Sequence, residues 1–276
     1  FRLRSMGWKV CGVLRKGSQK NVAIEKKIDA TFIEYDGNAK SLQNFFKAEK
    51  VDVIFHLASL VKGSYQLEDL QELMQANILL GMQCAHLASQ EGDISFVNTG
   101  TFWQHYHSEY YEPVDLYAAT KQAFEDILKY YSNNSALRVL TLKLFNVYRP
   151  DDPRPKLFNQ IKNAMVRSEV LQLTGGDQIV DFVHIDDVID AYFRAYDLLS
   201  GESYNDLSSS YAIRSNERMT LKDLVGVYEG VCGQKAPVAW GEKAYRNNEV
   251  MDPWSGPKLP GWNAKVSLKE GIKQCI

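Results

Sequence analysis

The 276-residue sequence contains little that would build a metal centre, a disulfide framework or a membrane anchor. Its five histidines include no HExxH pair, and its cysteines have neither disulfide-framework nor metal-ligand spacing. The four cysteines are Cys11, Cys84, Cys232 and Cys275. The longest apolar stretches, such as Val51–Leu57, are well short of the roughly 20 residues that cross a bilayer, and no secretory leader is visible. We therefore expect reduced thiols, no metal, no membrane contact and a cytoplasmic location.

A large charge of one sign is also absent. The sequence has 32 lysines and arginines against 34 acidic residues, which gives a net charge of −2. Such a chain has no broad electrostatic attraction for nucleic acid or for an anionic membrane. Any anionic ligand must therefore be held by a few local side chains. The composition, 45% hydrophobic and 24% charged, is typical of a folded globular protein.

The sequence contains no GxGxxG or GxxGxxG motif. In a nucleotide-binding α/β fold, a glycine-rich turn of this kind follows the first strand, and its backbone N–H groups bind a pyrophosphate. Residues 1–8 resemble instead the second half of an amphipathic helix and the turn into a strand. We expect that the native first strand and its glycine turn precede Phe1.

What the sequence does contain is an alternation of short apolar runs and longer amphipathic stretches. This pattern is typical of an α/β protein with a parallel sheet covered by helices. The predicted strands are Lys9–Leu14, Ala30–Tyr35, Val51–Leu57, Ile94–Thr99 and Arg138–Phe145. The predicted helices are Asn38–Ala48, Leu67–Gln90 and Leu116–Ser132. A proline-rich break at 149–155 then separates this part from a smaller second lobe.

Tyr117 and Lys121 lie four residues apart at the start of a predicted helix. Positions i and i+4 share a helix face, so the lysine ammonium can favour the ionised phenol and make it a usable acid or base. With 15 tyrosines, about one such spacing is expected by chance, and an uninvolved surface pair is the alternative. The strand before it ends at Thr99–Thr101, where ligands meet a parallel sheet, so Thr101 can share a proton network with Tyr117. Threonine is also simply common in strands.

Several further motifs occur in an order that identifies a family. They are His56–Ser59, Asn77 within QANILLG, Leu144–Pro150 (LFNVYRP), Asp181–Val188 (DFVHIDDV), Arg246–Glu249 (RNNE), Pro260–Trp262 (PGW) and Val266–Gly271 (VSLKEG). With Thr101, Tyr117 and Lys121, they resemble the extended short-chain dehydrogenase/reductase family that acts on nucleotide-diphosphate sugars. The resemblance covers nearly the whole sequence and is greatest to the branch of 4-ketoreductases that contains the CDP-abequose and CDP-paratose synthases.

The resemblance implies a fold and a reaction. The fold is a Rossmann-like doubly wound parallel sheet, with a dinucleotide-binding domain over 1–150, to which some later segments return, and a smaller α/β substrate-binding lobe over 151–276. The reaction is reduction of a nucleotide-linked 4-keto-deoxyhexose by NADPH or NADH, in surface-polysaccharide synthesis. Relatives pair the helices Leu67–Gln90 and Leu116–Ser132 between subunits, so a homodimer is expected; ordinary packing within one subunit is the alternative.

The resemblance also implies roles for individual residues. The catalytic residues are Thr101, Tyr117 and Lys121. The cofactor-binding residues are Arg15, Lys16, Asp36, Leu57, Ala58, Ser59, Asn77, Thr99, Tyr117 and Lys121. The substrate-binding residues are Thr101, Asn146, Arg154 and Arg246.

The residues themselves bear on the choice of cofactor. Arg15 and Lys16 follow a predicted strand at a place where an acidic residue would accept the ribose hydroxyls of NAD, and two cations suit the 2′-phosphate of NADPH better. A solvated basic turn is the alternative. Asp36 resembles the residue that meets the adenine amino group, although an aspartate in a turn explains it equally well.

Two departures from the family pattern concern the substrate. Val180 stands where an arginine commonly precedes Asp-Phe, and a valine cannot bind a phosphate, so Arg246 must carry the diphosphate, helped by Arg154 or Lys156. Surface charge is the alternative for all three. Arg149 replaces the glycine usual in this turn, so the substrate-side loop can differ in shape.

A reductase, a 4-epimerase and a non-catalytic scaffold remain open as functions, whereas a dehydratase does not fit the residues. A 4,6-dehydratase is disfavoured because Phe102-Trp103 follow Thr101 where that branch has an Asp-Glu pair, and these side chains transfer no protons. A 4-epimerase with tightly held NAD can use the same three catalytic residues and is the alternative to a reductase. A non-catalytic nucleotide-binding scaffold is the second alternative, because a fold does not dictate an activity.

Overall fold

Apolar runs in the first half of the chain form parallel strands. The computed structural model describes residues 1–17, 30–62, 64–106, 109–201 and 209–276. Strands β1 (Cys11–Arg15) and β2 (Thr31–Tyr35) pair in parallel as a two-stranded sheet. Strands β3 (Val53–His56), β4 (Ser95–Thr101) and β5 (Arg138–Leu144) belong to a second sheet, whose fourth strand comes from residues 210–213. All neighbours in that sheet are parallel, so its functional edge is formed by the carboxyl ends of several strands.

The remaining strands lie in the second half of the chain. They are β6 (Asn146–Tyr148), β7 (Leu171–Leu173), β8 (Ile179–His184), β9 (Ser210–Ile213), β10 (Arg218–Thr220) and β11 (Val238–Trp240). Strand β9 closes the order β3-β4-β5-β9, whereas β10-β8-β6 and β11-β7 form two small sheets. In the three-stranded sheet β10 is antiparallel to β8, and β6 is parallel to it.

Helices connect and cover these strands. They are α1 (Arg2–Ser5), α2 (Lys40–Ala48), α3 (Asp69–Met74), α4 (Leu80–Glu91), α5 (Leu116–Asn134), α6 (Leu157–Arg167), α7 (Ile185–Leu199), α8 (Leu221–Cys232) and α9 (Leu268–Cys275). A π-helical turn, Gln75–Leu79, joins α3 to α4, and a 3₁₀ turn, Phe102–Gln104, follows β4. Among the described residues, no helix is long and apolar enough to span a membrane.

Both faces of the central sheet are covered. Phe96 and Val97 are adjacent residues of β4 and point to opposite faces, yet both have 0% exposure. Phe96 packs with Phe124 of α5, and Val97 packs with Ala191 of α7. Burial on both faces explains why the strand sequences are continuously apolar rather than alternating.

The end of the chain is attached to α7 through Asp187. Its carboxylate accepts the backbone N–H groups of Lys265 (2.9 Å) and Val266 (3.1 Å), and its carbonyl accepts the indole N–H of Trp262 (3.0 Å). The C-terminal segment is therefore held against the central sheet as well as against the smaller sheets.

The predicted strands and helices of the first half are confirmed, with ends that differ by at most two residues. The one internal difference is the π-helical turn within the helix predicted over Leu67–Gln90. The buried Asn77 lies in this turn, and its side chain binds backbone outside the helix, which is a common setting for a π turn near a functional site.

Candidate active site

Thr101 ends β4 and starts the turn that follows it. The residue is 7% exposed, and its Oγ1 accepts the N–H of Trp103 (3.3 Å). Its own N–H donates to Oε1 of Gln104 (3.0 Å), so side chain and backbone are both fixed by the 3₁₀ turn. The threonine hydroxyl is thus held at the carboxyl edge of the sheet.

Tyr117 lies beside this turn because α5 begins there. Asp115 caps the helix by accepting the N–H of Ala118 (2.8 Å), and Val114 donates its N–H to the carbonyl of Trp103 (2.9 Å). Burial raises the pKa of the Tyr117 phenol, while a hydrogen bond with Ser59 acts in the opposite direction. The phenol therefore keeps its proton in the unliganded protein.

Lys121 lies one helical turn beyond Tyr117. Its side chain is 1% exposed, its Nζ lies 5.9 Å from the centre of the Tyr117 ring, and burial lowers its pKa to about 8. The Nζ has no hydrogen-bond partner among the described residues. A buried ammonium requires acceptors, and the paired hydroxyls of a ribose supply them, so this site fits a nicotinamide dinucleotide.

His56 lies close enough to Lys121 for the two charges to interact. Burial and the charge of Lys121 lower the pKa of His56 to about 3, and its ring packs 5.0 Å from that of Phe124. The imidazole therefore stays neutral and serves as a wall of the site.

The end of β4 carries a second hydroxyl pair. Thr99 Oγ1 donates to the carbonyl of His56 (2.7 Å) and lies 2.5 Å from the hydroxyl of Tyr192 in α7. Burial raises the pKa of Tyr192, and Tyr117 contributes in the same direction. No sequence pattern pointed to Tyr192, because it lies 93 residues from Thr99.

Asn77 holds the segment after β3 in place. Its amide accepts the N–H of Leu60 (2.7 Å), donates to the carbonyl of Leu60 (3.1 Å) and donates to Oγ1 of Thr120 (3.0 Å). The adjoining segment 57–59 consequently lies close to α5, as the hydrogen bond between Ser59 and Tyr117 requires. Leu57 within it is 60% exposed.

The residues at the ends of β1 and β2 lie apart from this group. Arg15 is ion-paired with Glu72, and Lys16 donates its N–H to the carbonyl of Tyr35 (2.9 Å). Asp36 accepts the N–H of Asn38 (3.0 Å), which is the contact expected of an aspartate in a turn.

Of the three expected substrate-binding residues other than Thr101, Arg246 lies beside the Thr101 turn. The Arg246 guanidinium lies 5.8 Å from the ring centre of Trp103. Arg154 forms hydrogen bonds of 2.5 to 3.1 Å with the carboxylate of Asp152, and Asn146 donates to the carbonyl of Asp181 (3.2 Å).

Known proteins resemble the chain in both sequence and structure. The NAD dependent epimerase/dehydratase family matches residues 2–205. The CDP-abequose synthase of Salmonella typhimurium is 25% identical over 229 residues, which are 81% of this chain and 75% of that protein.

Two solved structures have nearly the same fold. The UDP-glucose 4-epimerase of Thermotoga maritima, solved with UDP-glucose, has a TM-score of 0.81 at 21% identity and covers 99% of this chain and 91% of its own. The UDP-glucuronic acid 4-epimerase of Bacillus cereus, solved with UDP-glucuronic acid and NAD, has a TM-score of 0.81 at 22% identity with the same coverage. At these identities the likeness concerns the fold, and it confirms the predicted α/β architecture with parallel sheets.

Proposed function

Because the chain belongs to the NAD dependent epimerase/dehydratase family, we propose that it reduces the ketone of a nucleotide-diphosphate 4-keto-deoxyhexose with NADPH. The observation that carries the proposal is the buried ammonium of Lys121, which lies one helical turn from Tyr117 and has no hydrogen-bond partner among the residues that the structure describes. The likeness to a CDP-abequose synthase supports a nucleotide-linked deoxysugar as the substrate, and hence a role in surface-polysaccharide synthesis.

Tyr117 is the proton donor in this mechanism. The reduced nicotinamide, when bound, supplies the hydride that the reduction requires. The Tyr117 hydroxyl gives its proton to the oxygen of the sugar carbonyl as negative charge develops there, and Thr101 Oγ1 donates a hydrogen bond to the same oxygen. Lys121 favours the resulting phenolate through its charge and donates its unused N–H groups to the ribose hydroxyls.

The residues that follow Thr101 favour reduction over dehydration. The Phe102 ring stacks on Phe145 at 4.7 Å, and Trp103 packs under the Arg246 guanidinium. Neither side chain can take or give a proton, whereas loss of water from the sugar needs both an acid and a base. We therefore assign no dehydratase activity to this site.

The choice of NADPH depends on Arg15 and Lys16. Both side chains are exposed at the end of β1, where a cation can meet a 2′-phosphate. Glu72 pairs with Arg15 and opposes this preference, because it neutralises one of the two cations. Arg15→Asp should shift binding from NADPH towards NADH, and Glu72→Gln should shift it towards NADPH. Titration of both nucleotides measures the ratio, and an unchanged ratio in Arg15→Asp removes Arg15 from the cofactor site.

The remaining residues expected to bind the cofactor keep their roles in this proposal. We assign Asp36 to the adenosine, and a second group of residues to the nicotinamide half of the cofactor. The residues of the second group are Leu57, Ala58, Ser59, Asn77, Thr99, Tyr117 and Lys121.

Arg246 is the proposed ligand of the nucleotide diphosphate. It is exposed and stacks on Trp103 next to the Thr101 turn, and within the described part of the chain no salt bridge to an acidic side chain competes for its guanidinium. Arg154 has a weaker claim, since Asp152 already occupies its guanidinium. Asn146 remains a proposed contact of the sugar.

A 4-epimerase is the second candidate, and the fold shared with two such enzymes favours it. The same Thr101, Tyr117 and Lys121 set can serve a reaction that withdraws a hydride and returns it. An epimerase regenerates its NAD in every cycle, whereas a reductase consumes one NADPH for each product. The stoichiometry of NADPH oxidation therefore separates the two functions.

We also propose that two copies associate in the cytoplasm through α5 and the helical segment that runs from α3 to α4. Apolar side chains remain exposed on these helices, with Leu70 at 37% and Met74 at 49% in α3, and Leu116 at 43% and Tyr130 at 63% in α5. Sedimentation should give the mass of a dimer, and Tyr130→Glu should reduce it to that of a monomer. A monomeric wild-type protein would contradict this assembly.

The central experiment incubates the protein and NADPH with a panel of nucleotide-linked 4-keto sugars and determines the stereochemistry of the product. Tyr117→Phe should retain cofactor binding and lose turnover by about 100-fold or more, as expected when a general acid is removed. Near-normal turnover in Tyr117→Phe would reject the proton donor. Failure of the full-length protein, with its natural N-terminus, to bind any nicotinamide cofactor would leave the non-catalytic scaffold as the better explanation.

A further inference from the structure

Four buried side chains and the partly buried Glu125 form a cluster behind the Thr101 turn that the proposed chemistry does not use. We call them the Lys143 cluster: Gln104, His105, Glu125, Lys143 and Trp254. Exposure is 0% for Gln104, 7% for His105, 4% for Lys143 and 6% for Trp254, and the Glu125 side chain is 12% exposed. A buried polar cluster of this size has a considerable desolvation cost, so we ask what it does for the site.

The cluster touches Thr101 through the Gln104 amide. Its Oε1 accepts the Thr101 N–H at 3.0 Å, while its Nε2 donates to Oε2 of Glu125 at 2.8 Å and to Oε1 of Gln122 at 2.7 Å. Rotating the amide by half a turn would place its oxygen against two acceptors and its NH₂ against an N–H donor. The acceptors behind Gln104 therefore determine which atom faces Thr101.

Lys143 contacts both Glu125 and His105. Its Nζ lies 3.4 Å from Oε2 of Glu125 and 2.9 Å from Nε2 of His105. His105 Nδ1 lies 2.9 Å from the carbonyl of Tyr110 and so carries the ring proton, which leaves Nε2 as an acceptor for the ammonium. The ammonium and the Gln104 amide NH₂ therefore contact the same carboxylate oxygen, Oε2 of Glu125.

Further contacts limit the movement of the Lys143 side chain. Trp254 stacks on His105 with ring centres 4.1 Å apart, and Nζ of Lys143 lies 5.5 Å from the Trp254 ring centre. On the strand side, a Cβ on Gly100 would lie 2.7 Å from Oε1 of Gln104 and 2.9 Å from Cγ of Lys143. Only a glycine at position 100 leaves room for the cluster directly before Thr101.

We propose that Glu125 and Lys143 are positioning residues, which act through the Gln104 amide to hold Thr101 in the geometry that its hydroxyl needs for catalysis. The inference deepens the proposed function and rests on it for its effect on turnover. It does not require the pair to stabilise the fold, because apolar residues of similar volume often stabilise a protein as well as a buried ion pair does.

The test uses the double variant Glu125→Met/Lys143→Met, which leaves neither charge of the pair behind. Turnover should fall by about 10-fold to 100-fold, the range that a misplaced reacting group produces, with KM for the sugar and the affinity for NADPH unchanged. In a Thr101→Val background the same double change should cause no further loss, because the hydroxyl through which it acts is already absent. An equal loss in both backgrounds, or no loss in either, would overturn the proposal.

A second measurement needs no substrate. Hydrogen exchange followed by NMR reports the Thr101 N–H, which the Gln104 amide protects. This proton should exchange much faster in the double variant, while the N–H of Val97 in the middle of β4 keeps its protection. Unchanged protection of Thr101 would overturn the positioning role. If the double variant does not fold, Glu125→Gln can replace it, because it keeps the volume of the side chain. It should show a smaller loss of turnover and a smaller increase in the exchange rate of the Thr101 N–H.

The two measurements separate this inference from the proposed function. A protein that reduces no keto sugar, but in which the double change releases the Thr101 N–H, would refute the reductase and support the positioning of Thr101. A working reductase in which neither variant alters turnover or hydrogen exchange would support the proposed reaction and refute the positioning of Thr101.

Discussion

The buried ammonium of Lys121 makes a quantitative prediction about stability. Its pKa of about 8 lies below the ordinary value of 10.5, because burial disfavours the charged form and no described residue compensates by a hydrogen bond. At about 1.4 kcal/mol for each pH unit, this difference corresponds to about 3 kcal/mol of instability at neutral pH. Methionine has a similar volume and no charge. Lys121→Met should therefore raise the free energy of unfolding by up to about 3 kcal/mol while it abolishes turnover.

The gain should depend on pH in a defined direction. Below pH 8 both the folded and the unfolded protein carry the proton on Lys121, so the full penalty is present in the wild type. Between about pH 8 and 10.5 the folded protein loses this proton first, and the stability of the wild type rises relative to the variant. Above that window the advantage of Lys121→Met should vanish.

Urea denaturation of the unliganded protein at several pH values measures both effects. Lys143→Met is the matched control, because it also removes a buried lysine but leaves Glu125 and His105 without their partner. This variant should lose about 3 to 5 kcal/mol, the opposite sign to Lys121→Met. A Lys121→Met protein that is less stable than the wild type at pH 7, or whose gain persists above pH 10.5, would refute the reasoning.

Three further changes test the packing that positions the site. Asp115→Ala removes the cap of α5 and should cost about 1 kcal/mol in urea denaturation, with Asp115→Asn close to the wild type; equal losses would exclude a capping role. Gly81→Ala places a Cβ 2.3 Å from Cζ of Phe124 and should cost about 1 to 3 kcal/mol, part of which Phe124→Leu restores in the same chain. Asp187→Ala leaves two backbone N–H groups at 265–266 without acceptors, so proteolysis should cut the C-terminal segment faster than in the wild type, and an unchanged rate would show that other contacts hold it.

Local patterns were sufficient for the features that depend on neighbouring residues. Apolar runs such as Val51–Leu57 predicted strands because a sheet covered on both faces buries side chains on both sides. The strand formed there, Val53–His56, is partly or fully buried, whereas Leu57 just beyond it is 60% exposed. The pair of Tyr117 and Lys121 could be recognised because residues four apart in a helix share one face. In the structure, Nζ of Lys121 lies 5.9 Å from the centre of the Tyr117 ring. The spacing did not reveal that Lys121 Nζ has no hydrogen-bond partner in the described part of the chain, because this depends on residues that are distant in sequence.

Contacts between distant segments could not be predicted in this way. Three such contacts shape the site. Gln104 and Glu125 are 21 residues apart in sequence, His105 and Lys143 are 38 apart, and Thr99 and Tyr192 are 93 apart. Each depends on the register between strands or on how a helix is placed over them, and no local pattern encodes either.

The pairing of Arg15 with Glu72 is another distant contact, and it bears on the choice of cofactor. The sequence favours NADPH because two cations follow a strand, but α3 brings Glu72 to Arg15 from 57 residues away. The Glu72 carboxylate neutralises part of the charge that Arg15 would offer to a phosphate. The preference between the two cofactors is therefore a difference between two opposing charges, and it should respond to substitution at either residue.

The two buried lysines, Lys121 and Lys143, have different roles: the first is placed to bind a ligand, and the second supports the site. Lys143 has an acceptor on each side, so its charge is satisfied within the protein and its removal should leave other groups unpaired. Lys121 has none among the described residues, so its charge is tolerated only because the fold around it is otherwise well packed. Binding a dinucleotide should remove that penalty. We therefore expect NADPH to raise the melting temperature of the wild type by more than it raises that of Lys121→Met, and an equal rise in both would place the cofactor elsewhere.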